Sequence, residues 1–221
     1  MRRIVRDQGL TLAMFGIFAV LLVGQSVTGQ HDYNQDQRDH GEATVSYPTY
    51  LTTGHFVEAT FENWESEFLQ MGMYVFLTAL LFQRGSSESK DPDGDNPVDE
   101  DPRLARYRAD APWPVRKGGL ALHLYNHSLS ASLLLLFAIS FVLHAYGGAR
   151  EYSQEQLAHG GEAVSMLGFM TTSSFWFQSF QNWQSEFLAV ASLAVLSIFL
   201  RQKGSPESKP VAAPHYKTGS D

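Results

Sequence analysis

Asn63-Trp64-Glu65-Ser66-Glu67-Phe68-Leu69 returns 119 residues later as Asn182-Trp183-Gln184-Ser185-Glu186-Phe187-Leu188. The match runs without a gap from 33–90 onto 152–209, with 25 identities in 58 positions. It closes on Gly85-Ser86-Ser87-Glu88-Ser89-Lys90 against Gly204-Ser205-Pro206-Glu207-Ser208-Lys209. A repeat of this length decides the architecture before any single element is assigned. Each copy carries two apolar stretches. The chain therefore reads as an all-α membrane protein: four transmembrane helices as two tandem-duplicated hairpins, with short helical outer loops.

Working outward, the expected organisation is a first two-helix repeat over 1–90 and an acidic, Pro-rich cytoplasmic linker over 91–118. A second repeat follows over 119–209, then a flexible tail over 210–221. The slightly negative mean hydropathy conceals this, because the apolar residues are clustered. Gln8–Gln30 has no charge and Gly118–Ala149 none apart from histidines. At ~1.5 Å per residue each is long enough for a ~30 Å core. Phe68–Gln83 and Phe187–Leu200 are too short alone, so their helices must begin earlier. Trp64 and Trp183 are the expected outer-interface anchors.

Of 16 Lys and Arg, all but Arg38 and Arg150 lie in the N-terminus, the central linker or the tail. The positive-inside rule then puts both termini and the linker in the cytoplasm. The first stretch also has a signal-peptide look. It nevertheless aligns with residues 126–149, so it is expected to be retained as a fold element.

With no cysteine, disulfides, thiolate metal sites and covalent haem attachment are excluded. A net charge of −7 argues against nucleic acid as a partner. No cofactor is expected. His123 and His127, four apart, are weak metal candidates on spacing alone.

The outer loops suggest short helices capped at Asn34 and Ser153 and stopped at Gly41 and Gly160. The aromatic residues after them suit either a headgroup layer or a lid. Gly9 with Ala13, and Ser128 with Ser132, have the small-residue spacing of close helix packing.

The candidate polar site is a pair of stripes, Asn63, Ser66 and Glu67 with Asn182, Ser185 and Glu186, and His144 is within their expected reach. An intramembrane carboxylate is costly and should face protein. Two carboxylates there could share a proton or hold a cation. The competing reading makes them helix-end groups with Asn63 and Asn182 as N-caps, and it is preferred about two to one because buried polar networks are often structural.

The blocks 61–71, 82–86, 112–116 and 181–188 together resemble an uncharacterised bacterial four-helix inner-membrane family, a domain of unknown function. The resemblance implies an inner-membrane location and carries no activity. Nothing in the sequence demands catalysis. The expected role is a structural or accessory subunit or interaction protein, in a larger membrane complex or a homo-oligomer. The alternative is a small transporter or channel using the paired stripes.

Overall fold

The computed structural model describes residues 2–219; Met1, Ser220 and Asp221, which fall in the first repeat and the tail, lie outside them. Helix α1 covers Arg2–Asp39, α2 Tyr47–Tyr50 and α3 Gly54–Leu80. Two 3-10 turns follow, at Pro97–Asp99 and Pro102–Ala105. Then come α4 Trp113–Lys117, α5 Gly119–Asn126, α6 Ser128–Ala158, α7 Met166–Phe169 and α8 Ser173–Phe199. No strand occurs among the described residues.

The elements recur at the sequence offset. Residues 47–50 and 54–80 become 166–169 and 173–199. The non-helical geometry at Gln8 (φ −131°, ψ 17°) returns at His127 (φ −117°, ψ 9°), which separates α5 from α6. Gly41 and Gly160 end α1 and α6 at φ 75° and 78°, left-handed conformations that glycine adopts freely. Thr53 and Thr172 then open α3 and α8, their hydroxyls accepting from Phe56 N and Phe175 N.

Two expectations about the outer loops are corrected. No break precedes Tyr33 or Tyr152, because nothing between residues 29 and 33 interrupts the helix; these segments are the ends of α1 and α6. Asn34 therefore caps nothing. Its side chain accepts from Val45 N at 2.7 Å and donates to Val45 O at 2.9 Å. Ser153 makes the equivalent pair with Val164. Asn63 and Asn182 are likewise interior to their helices and not N-caps, since α3 and α8 begin nine residues earlier.

Two helices, α1 and α6, are long and apolar enough to cross a membrane. With 38 and 31 residues they extend to about 57 and 46 Å. A ~30 Å core accounts for about 20 residues, so the polar ends after Gln30 and Ala149 reach beyond it.

The chain divides into two compact units, and each draws on both repeats. One comprises residues up to Phe61 with Val142–Phe175; the other comprises Glu62–Phe141 with Trp176 onward. In the first, α3 and α6 approach backbone to backbone. A Cβ on Gly54 would lie 2.8 Å from Gly147 O, and one on Gly147 2.5 Å from Glu58 N. The sequence had pointed to Gly9 for such packing. A Cβ there meets nothing within 4 Å. The aromatic core is duplicated: Tyr50 packs 5.5 Å from Phe56 and 5.8 Å from Tyr33, and Phe169 packs 5.5 Å from Phe175 and from Tyr152.

In the second unit, Gly72 receives Leu133 and Leu134, and Trp183 packs on Phe137 and Phe180. Beyond α3 and α8 the repeated Gly-Ser-x-Glu-Ser-Lys segment forms the same turn twice. Ser89 Oγ accepts from Gln83 N, and Ser208 Oγ from Gln202 N. The lysines differ. Lys90 donates to Ala79 O and pairs with Asp99. Lys209 is 1 % exposed and places its ammonium among Gly85 O, His215 O and Lys217 O. Thr218 and Gly219 also bond to Gly85 and Ser86. Within the segment expected as a flexible tail, His215, Lys217, Thr218 and Gly219 are thus held by hydrogen bonds to Lys209, Gly85 and Ser86. The 91–118 linker contains two 3-10 turns and α4.

Candidate functional site

The ends of α1 and α6 that run past the apolar stretch carry acids in register. Asp32 aligns with Glu151, Asp36 with Glu155 and His40 with His159. Within the first unit they and their neighbours line a cavity of about 530 Å³, with Tyr33, Asp36, His40, Glu42, Glu151 and Glu155 among the lining residues. One helical turn separates Asp36 from His40, and Glu155 from His159. Each histidine folds back so that Nδ1 meets the carbonyl four residues earlier, at 3.0 Å from Asp36 O and 2.9 Å from Glu155 O. That contact, then the Asp36 charge, moves His40 above its ordinary range.

Glu151 is the carboxylate most altered by this environment. Burial, then the Glu58 charge, pushes its carboxyl up to about 7, against a backbone N–H from His55 that favours the anion. Its Oε2 is buried with no hydrogen-bond partner. Behind the wall Tyr33 packs on Tyr50, whose hydroxyl lies 3.1 Å from His55 Nδ1 and over Gly29. Burial raises the Tyr50 phenol to about 12, so it stays neutral, and lowers His55, which favours neutral imidazole. The wall therefore holds excess carboxylate charge and one carboxyl able to exchange a proton near neutrality.

The sequence-derived stripes are placed differently. Glu67 is exposed and Glu186 half-buried. Asn63 is exposed, while Ser66 is buried with its hydroxyl donating to Asn63 O at 2.7 Å. Ser185 donates to Asn182 O, and Asn182 to Gln178 O. These are intrahelical bonds. The carboxylate that the fold buries is Glu65, at 0 % exposure, accepting from Ser179 Oγ at 3.0 Å and Trp183 Nε1 at 3.2 Å. Trp183 is thus a partner of a buried acid, and Trp64 is half-buried. His144, expected to reach Glu67 or Glu186, is buried and stacks on Phe175 at 4.9 Å.

His123 and His127 lie with ring centroids 5.4 Å apart and are exposed. No group of three metal-ligating side chains occurs among the described residues. Sequence reasoning passed over Glu65 and the cavity acids. The signal for the second set was present: acids at aligned positions near the C-terminal ends of α1 and α6.

A family model described as Domain of unknown function (DUF6766) matches residues 1–220, and the chain belongs to that family. No curated protein and no solved structure gives a match.

Proposed function

For this member of the DUF6766 family we propose a four-span protein of the bacterial inner membrane, two tandem hairpins with both termini cytoplasmic. Its outer face binds a small organic cation, with proton exchange, in the duplicated carboxylate cavity. The observation that carries this reading is the cavity lined by Asp36, Glu42, Glu151 and Glu155, in which Glu151 has a buried oxygen without a partner. A cationic ligand would supply that partner and relieve the crowding of like charges. The two apolar helices and the segregation of basic residues support the placement.

The test is calorimetric titration of the purified protein with putrescine as probe. Binding is expected at pH 8, weaker at pH 5.5 where Glu151 is protonated, and lost in Asp36→Asn/Glu155→Gln. No saturable heat, or binding indifferent to the double substitution, overturns it.

Exposed Trp176, Phe177 and Phe180 on α8 favour a second reading, an accessory or interaction subunit whose partner covers these rings. Purification in mild detergent followed by mass spectrometry distinguishes the two. A stoichiometric protein partner lost in Phe177→Ser/Phe180→Ser supports the accessory role.

A further inference from the structure

The segment before α6 packs its own small fold. The turn at Pro102–Ala105 touches α4, and α4 touches α5. Leu122 is buried, while Trp113, Leu120 and Leu124 are 59, 73 and 62 % exposed. Leu120 and Leu124 share one helical face. Together with Pro114, Lys117 and Tyr125 they line an apolar groove of about 660 Å³.

Lys117 is the basic residue of its lining, and Arg116 adjoins it in the chain. Residues 101–117 contain Arg103, Arg106, Arg108, Arg116 and Lys117 against two acids, Asp101, which lies 3.9 Å from Arg103, and Asp110. Arg108 occupies Asp110 through two hydrogen bonds. Lys117 rests 4.7 Å above the Trp113 ring, and Arg106 donates to Arg116 O. Arg116 and Lys117 have no carboxylate within ion-pair distance among the described residues. Only His127 separates α5 from α6.

We propose that the α4–α5 groove is a binding site for anionic phospholipid of the inner leaflet. The headgroup phosphate lies at Arg116 and Lys117, and the acyl chains lie along Leu120 and Leu124. The inference rests on the membrane reading of α6. An apolar face with Lys117 in its lining and Arg116 beside it, next to a span, matches a lipid that is apolar below and anionic above. The aromatic rings of Trp113 and Tyr125 suit the boundary between the two.

The test is native mass spectrometry of the full-length, delipidated protein titrated with phosphatidylglycerol and, separately, phosphatidylcholine. The wild type is expected to prefer phosphatidylglycerol. Arg116→Gln/Lys117→Gln should weaken that lipid roughly 25-fold, about fivefold per basic side chain, without changing phosphatidylcholine. Both residues are exposed, so circular dichroism should be unchanged. Equal affinity for the two lipids, or a double variant that binds like the wild type, overturns the proposal. Alkaline carbonate extraction separates the two claims. Protein retained in the membrane without lipid preference refutes the groove alone; protein released refutes the span and the groove together.

Discussion

The two copies of the Asn-Trp-x-Ser-Glu segment differ most where the fold is tightest. Glu65 is buried and takes both donors of the second copy, Ser179 and Trp183. The residue in its place in the second copy is Gln184, which is exposed and donates to Gln181 O on its own helix. Thr60, the counterpart of Ser179, keeps a buried hydroxyl without a partner. At the C-terminal ends of α1 and α6 the copies behave oppositely, and acids stand at both aligned positions. A duplicated carboxylate persists beside a cavity, where ligand or water can offset paired charge. It does not persist in the packed interior, where a second buried carboxyl would need hydrogen-bond donors of its own.

Breaking the buried copy should have the largest effect. Glu65→Ala strands a hydroxyl and an indole N–H, and should cost about 3–4 kcal/mol in thermal unfolding in detergent. Glu65→Gln keeps an acceptor and should cost less than half of that. Gln184→Ala should stay within ~0.5 kcal/mol, as exposed sites do. Equal losses at 65 and 184 would erase the asymmetry.

The helix crossing sharpens the same contrast. Gly147→Val places carbon against Glu58 N and should cost about 2–3 kcal/mol. Gly16→Val, with nothing within 4 Å, should be neutral or gain up to ~0.5 kcal/mol, because valine forms helix better than glycine.

The repeated lysines come next. Lys209→Met leaves three carbonyls without their ammonium and should cost about 2 kcal/mol. Lys90→Met removes a more accessible ion pair and should cost about 1 kcal/mol. Hydrogen exchange at Gly85 and Gly219 should rise only in the first variant.

The pH dependence of Glu151 is of the same size as the lysine effects. Its folded value lies near 7, above the unfolded value, so the fold favours the protonated form. Its contribution is fully present below about pH 4.5 and is lost as pH rises through 7. Glu151→Gln should remove that loss and raise stability at pH 8 by about 1–2 kcal/mol, with no gain at pH 4.5. A gain that is the same at both values would show that charge is not the cause.

Much of the fold was legible because apolar clustering and the repeat are properties of composition and order. The helix stops at Gly41 and Gly160 followed from backbone chemistry. The buried carboxylate was not legible. One residue is 100° of helical rotation, and the choice between Glu65 and Glu67 depends on which face meets Ser179 and Trp183. Asn34 and Ser153 misled because a residue that caps a helix also bridges a turn. Lys209 resembled any tail lysine, since its cage is built from carbonyls that every residue has. The cavity acids were visible as helix-end charges, but nothing local indicated that they converge.

The measurement that reaches furthest is cysteine accessibility, which the native absence of cysteine makes clean. Single substitutions Ala43→Cys, Gly94→Cys, Ala163→Cys and Val211→Cys are labelled in intact spheroplasts with a membrane-impermeant maleimide. Four spans with an outward cavity predict labelling at 43 and 163, and at 94 and 211 only after permeabilisation. If α1 and α6 alone crossed the membrane, 94 would label from outside and 163 would not, and that result would contradict both the hairpins and an outer carboxylate site.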